Sequence, residues 1–236
     1  EGLALGLEAL VDRLLDQRDD RDPFFHERFR IEDLAEMKDM EREERQKRIN
    51  ELRREDARQM REFGAWWIDR MIDGVDPLQD RMTLFWHGFF TSSYTDVKRS
   101  DELIAQNELF REHALGSYAD LLHGIVRDAA MLRYLDNDRN RKQAPNENLA
   151  RELLELFSLG EGNYTEADVK EAARALTGRR VDRDGEFELR GRDHDRGRKT
   201  ILGEAGRLGG DDLVNILLRQ EACSRWVAQR LLAYFE

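Results

Sequence analysis

Apolar residues recur every three or four positions at the start of the chain, where Leu3, Leu7, Leu10, Val11, Leu14 and Leu15 of LALGLEALVDRLLDQ fall on one helical stripe. From Asp19 to Phe25 the stripe breaks, with Pro23 as the stop. Between Ile31 and Ile72 nothing interrupts a helix except Gly64, yet the middle, MEREERQKRINELRREDAR, offers only a thin seam of Met40, Ile49, Leu52 and Met60. The pattern predicts a long charged helix over about 31–72, solvated and laid along the domain by that seam. An arm standing off the core is the alternative, while a dimerisation helix would need denser heptads than this seam supplies.

Pro77 suits the first turn of the next helix, PLQDRMTLFWHGFF, because its missing N–H has no partner there in any case. Leu78, Met82, Phe85 and Phe89 form one stripe of it and Thr83, Leu84 and Phe90 flank His87 on another side, so the helix should be buried all round. Helices follow at about 101–113, 117–127 and 129–135, then the polar loop DNDRNRKQAP. Asn146 is placed to cap NENLARELLELFSL, which closes at Gly160. Thr165 and Asp168 form a capping box with Tyr164 and Val169 as a staple, and that helix ends at Gly178. Alternating runs around Asp184 and Gly185 predict a small β-hairpin within 179–203, and helices at 210–219 and 221–235 complete the chain. The expected fold is mostly α: a single multi-helix domain over 1–236, with a helical core at 77–178 and a minor β-hairpin near 180–201. A start without Met and an apolar end at Phe235 read as a piece of a longer chain, with C-terminal elements cut away.

Composition narrows the function classes. A chain of 236 residues can bury a core without staples, and its one cysteine, Cys223, leaves no internal disulfide and no Cys-based zinc site. Charged residues make up 38% and the formal net charge is −11, which opposes attraction to a phosphate backbone or anionic lipid, so nucleic acid is not an expected partner. No run is long and apolar enough to suggest a transmembrane segment, and EGLALGLEAL lacks the layout of a signal peptide.

Candidate chemistry sits in four places. His87 lies among aromatic side chains, where it is either a core histidine with one hydrogen bond or an imidazole tuned for proton transfer or metal ligation. On the 146–160 helix Glu147, Arg151 and Glu155 follow at i, i+4, i+8 beside Asn148 and Glu152, with Glu147 and Arg151 in the favourable order for a pair. Asp136, Asp138, Asn140 and Glu147 occupy positions 1, 3, 5 and 12 of a calcium-loop register, although Arg141 replaces its glycine and Pro145 falls inside it. The run RDHDRGRK places His194 and Asp195 close to Lys199. There is no G-x-S-x-G elbow, H-E-x-x-H motif or phosphate-binding glycine loop.

Taken together, NENLARELLELFSLGEGNYTEADVKEAARALTG, FWHGFF and HDRGRKTILG resemble the bacterial family catalogued as domain of unknown function 1800, over nearly the whole chain. The resemblance implies a largely helical fold, export to the periplasm or beyond, and a neighbouring exported, sulfatase-like protein as partner; it implies no established activity. Phe89 stands where the family usually has a second histidine, so a mechanism needing both imidazoles would be altered here. The family block keeps the polar letters of the 146–160 helix, which suggests a partly buried Asn/Glu/Arg network, and its HDxGxK motif suggests that His194 reaches the pocket of His87. Gly88 then reads as room for close approach by a backbone or ligand. On this reading His87, Glu147, Arg151, Glu152 and His194 form a ligand or active site. Hydrolysis by acid/base or metal assistance is its mildest chemistry, with His87 as base or ligand, Glu152 its partner, Arg151 an anion binder and a divalent metal the cofactor. The competing class is a noncatalytic scaffold in which these groups staple helices and the charged 41–59 stretch meets a partner.

Overall fold

The structure is a computed structural model and describes residues 7–16, 24–26, 37 and 40–236. It divides into two compact units, Glu1–Gly88 with Lys98–Ser117, and Phe89–Val97 with Tyr118–Glu236. Helices dominate both, and among the described residues none is long and apolar enough to cross a membrane.

The first unit contains α1 (Leu7–Asp16), α2 (Arg42–Asp73), most of α3 (Pro77–Phe89) and α5 (Ser100–Glu112). Leu3 and the break at Pro23 lie outside the described residues. Among the described residues the long charged helix starts at Arg42, and the expected stretch over 31–36 lies outside them; Met37 and Met40 precede the helix in non-α backbone, and the guanidinium of Arg45 donates to both their carbonyls at 2.9 and 3.2 Å. Gly64 does not interrupt it, and Gly74 ends it in the left-handed conformation at φ 61°.

Its buried seam is a different one from the apolar series. Asp56, Gln59, Phe63 and Arg70 are buried, whereas Ile49, Leu52 and Met60 are only half-buried. The reason is a polar anchor: Asp56 Oδ1 accepts from the backbone N–H and the hydroxyl of Ser100 at 2.8 and 2.6 Å, and Gln59 Nε2 donates to Ser100 Oγ at 2.9 Å. Ser100 is the first residue of α5, whose own preceding residue gives no side-chain cap. A carboxylate from α2 therefore satisfies an orphan donor at the start of another helix.

α3 begins at Pro77 as expected, with Asp76 Oδ1 accepting from the Gln79 N–H at 3.0 Å. It is not buried all round, because Arg81, Leu84 and Gly88 form an exposed strip. Opposite that strip, Met82, Phe85 and Trp86 join Phe63, Leu103, Ile104 and Phe110 in the apolar core whose burial drives this unit together.

The second unit holds α4 (Tyr94–Val97), α6 (Tyr118–Ile125), α7 (Ala129–Tyr134), α8 (Asn148–Leu154), α9 (Glu166–Ala175), α10 (Gly210–Leu218) and α11 (Glu221–Phe235). Leu121, Ile125, Met131, Leu149, Leu153, Val169, Leu213 and Leu217 are fully buried at its centre. α8 starts two residues after Asn146, whose Oδ1 accepts from the Asn148 N–H at 2.8 Å and so caps the helix from slightly further out. Past Leu154 the helix widens into one π-turn over Glu155–Leu159, closed by the Gly160 N–H on the Glu155 carbonyl at 3.0 Å. Side chains take two of the carbonyls left over: Tyr118 donates to Phe157, and Trp226 Nε1 donates to Leu156 at 2.8 Å.

The expected capping box is formed, with Thr165 Oγ1 accepting from the Asp168 N–H at 3.2 Å and Asp168 Oδ2 from the Thr165 N–H at 2.9 Å. The expected hairpin is β1 (Arg179–Val181) with β2 (Phe187–Leu189), and Asp182 Oδ1 accepts from the N–H groups of Asp184 and Glu186 inside its turn. A second hairpin joins β3 (Lys199–Ile201) to β4 (Glu204–Gly206). Its turn residues Leu202 and Gly203 both have positive φ, 49° and 83°, and the Leu202 N–H is held by Asp168 Oδ1 at 2.7 Å. A leucine gives no signal for such a turn; the capping aspartate of α9 supplies the restraint instead.

Candidate functional site

His87 belongs to the first unit, and Glu147, Arg151, Glu152 and His194 belong to the second. The Trp67 ring meets the His87 imidazole edge-on at 5.1 Å between centroids and Phe110 lies at 6.1 Å. Nδ1 of His87 is buried without a hydrogen-bond partner, and burial lowers the imidazole pKa from its usual 6.5, which favours the neutral ring. An unmet buried polar atom of this kind costs about 1–3 kcal/mol. A Cβ on Gly88 would meet nothing within 4 Å, so the space beside it is open. Phe89 packs with Phe90, Tyr118 and Phe157 at 4.9–6.3 Å, an aromatic cluster in the second unit.

Further along the first unit's helices, Asp80 Oδ1 accepts from Arg111 Nη1 at 2.7 Å and lies 3.5 Å from Arg70 Nε, all three being largely buried. Composition and motif reading did not single out these residues. Their signal is spacing: Asp80 and His87 are seven apart on one helix, and Asn107 and Arg111 four apart on another, so each pair shares a face.

On the polar face of α8, Glu147, Arg151, Glu152 and Glu155 are each half-buried. Arg151 pairs with Glu147 at 3.3 Å as expected, and its other contacts are a fork onto Glu166 at 2.8 and 2.9 Å rather than Glu155. The side chains of Arg151, Glu147 and Glu166 are 37, 38 and 67% exposed, which leaves such pairs worth a few tenths of a kcal/mol. Glu152 stands apart from that fork; burial first and the charge of Glu155 second raise its carboxyl pKa.

The 136–146 loop is folded around buried amides. Asn140 is fully buried: its Nδ2 donates to Asn137 Oδ1 and to the Ala173 carbonyl, both at 3.0 Å, and its Oδ1 accepts from the Asn146 N–H at 3.0 Å. Asn137 Nδ2 in turn reaches the carbonyls of Leu176 and Arg179. These amides stitch the loop to the end of α9, and each amide oxygen is already held by an N–H of the loop itself. Asp136 faces Arg139 at 3.9 Å, and among the described residues no group of three His, Cys, Asp or Glu is placed to hold a metal ion.

RDHDRGRK folds onto the same helix end. Arg174 Nε donates to Asp195 Oδ2 at 2.8 Å, and its Nη1 donates to Glu171 at 2.8 and 2.9 Å. Thr177 Oγ1 accepts from the Asp195 N–H at 2.8 Å, and Lys199, whose side chain is fully buried, donates to the carbonyls of Asp195 and Gly197. The Arg174 guanidinium beside Asp195 holds its carboxyl below the usual range. His194 Nδ1 lies 2.8 Å from the Thr177 carbonyl, an acceptor only, so Nδ1 is the donor of that bond. Gly178 makes this fold-back possible: at φ 79° a Cβ would stand 2.8 Å from the Arg190 carbonyl oxygen and 2.9 Å from the His194 nitrogen. Arg179, buried to 3% exposure, donates to the Val126 carbonyl and to Asp211 Oδ1 at 3.1 and 2.7 Å beneath the ring of Phe187.

Cys223 is free and buried, and burial pushes its thiol up to about 11, so it is protonated and inert at neutral pH. No curated protein and no solved structure matches the chain. The model of the family described as protein of unknown function (DUF1800) matches residues 1–236, and the chain belongs to that family.

Proposed function

We propose that the second unit is a noncatalytic scaffold, and that the family's polar motifs between Glu147 and Lys199 are staples that hold helices, loop and hairpins in one arrangement. The observation that carries this reading is the Arg174–Asp195–Glu171 knot with Thr177 and Lys199, in which each charged group has a partner from the same unit. In this reading the exposed first turns of α2, from Arg42 to Glu55, are the part left to meet a partner, and the exported sulfatase-like protein implied by the resemblance is a natural candidate.

The test compares thermal melts with elemental analysis of untagged protein purified without added metal. Arg174→Met and Asp195→Asn should each cost about 1–3 kcal/mol, since both side chains are largely shielded from water at 29 and 19% exposure. Arg151→Ala should change the melting temperature little. Stoichiometric metal that vanishes in His194→Asn or Glu152→Gln at unchanged stability would sink the scaffold reading. A ligand-site reading keeps one specific observation in its favour, the unmet Nδ1 of His87 in the first unit.

A further inference from the structure

Nε1 of Trp67, Oδ2 of Asp80, Nδ1 of His87, Nδ2 of Asn107 and Nη2 of Arg111 are all buried without a hydrogen-bond partner. Three helices of the first unit contribute them: α2 brings Trp67, α3 brings Asp80 and His87, and α5 brings Asn107 and Arg111. Contacts between the helices draw them together. Trp67 meets His87 edge-on at 5.1 Å, His87 lies 6.1 Å from Phe110, and Phe110 adjoins Arg111 and sits one turn from Asn107. Two turns along α3 from His87, Asp80 takes the other amino group of Arg111 at 2.7 Å. Asp80 and Asn107 are 3 and 2% exposed, so bulk water does not supply the missing bonds. Buried polar groups are nearly always paired with protein, ordered water or a ligand, and several unmet ones on three neighbouring helices mark this face as a place to look for a guest.

We infer that this face binds a small hydroxy-carboxylate. Trp67 Nε1, Asn107 Nδ2 and Arg111 Nη2 can only donate, so the guest must present oxygen acceptors, and a guanidinium among the donors favours a carboxylate. Asp80, whose carboxyl faces the guanidinium groups of Arg70 and Arg111, offers Oδ2 as an acceptor, which calls for a hydroxyl on the guest. Nδ1 of His87 serves in either sense, and the rings of Trp67 and Phe110 cover the carbon body. This inference concerns the first unit and is independent of the scaffold reading of the second.

Glycolate is the probe, titrated at constant ionic strength against chloride, with acetate as the comparison. The readout is the indole N–H signal of Trp67 in nitrogen-edited NMR, assigned by its loss in Trp67→Phe. The expected result is a saturable shift with glycolate, weakened about tenfold or more both for acetate and in Asn107→Leu, the effect of one lost hydrogen bond to a charged group. Asn107→Leu deletes a donor that has no protein partner, so it should keep the fold, and circular dichroism checks this. Absence of a saturable glycolate shift, or an unchanged affinity in a folded Asn107→Leu, means that only water occupies the site and overturns the inference. Equal affinity for acetate overturns the hydroxy-acid assignment.

Discussion

His87 shows how burial writes a pH dependence into a single side chain. Its folded pKa lies below the 6.5 of an exposed imidazole, so the unfolded chain takes up a proton first as the pH falls. Stability attributable to His87 is therefore intact above pH 6.5 and declines as the pH drops from there through the lowered folded value. His87→Gln should flatten that part of the stability profile in denaturant titrations across the acid range. Gly210 is a second residue-scale case: a Cβ there would stand 2.2 Å from Nε of Arg179, which its bonds to Val126 and Asp211 hold in place. Gly210→Ala should destabilise by about 1–3 kcal/mol, the usual range for forced overpacking, and Arg179→Met should relieve much of it in the double variant, as melting curves would show.

Elements with a local code are legible in the sequence alone. The capping box at Thr165, the proline start of α3, the glycine stops at Gly160 and Gly178 and the Asp184–Gly185 turn are each decided by a few neighbouring residues. What escaped depends on partners distant in sequence: the polar seam of α2 answers to Ser100, the Leu202 turn answers to Asp168, and the buried amides of Asn137 and Asn140 answer to the end of α9. The site candidates divide along the same line. Glu147 with Arg151 is a local pair and was legible, while the setting of His87 depends on Trp67 and Phe110 from other helices. Thr165→Ala should cost about 1 kcal/mol, with the loss extending to faster amide exchange at Leu202, because Asp168 serves both the cap and the second hairpin.

At the scale of the whole molecule, with a formal net charge of −11, the acid response rests in part on carboxylates whose folded pKa values are depressed. For Asp195 the cause is Arg174; for Asp168 and Asp211 burial pulls upward, but hydrogen bonds from Thr165 and Leu202 and from Arg179 and Arg127 outweigh it. Each stabilises the fold above its ordinary value of 3.8 and loses that contribution as the pH falls through its lower folded value. Chemical denaturation should thus show the second unit weakening steeply below about pH 4, and Asp195→Asn should remove part of that slope.

The stacking of Trp226 against Gly160, with its indole N–H on the Leu156 carbonyl, has an optical consequence. The chain has four tryptophans, and the other three, Trp66, Trp67 and Trp86, all belong to the first unit. Replacing those three by phenylalanine leaves one fluorophore, fixed at the π-turn that ends α8. Its emission would follow the opening of that turn alone, and the complementary Trp226→Phe chain would follow only the unit that carries His87.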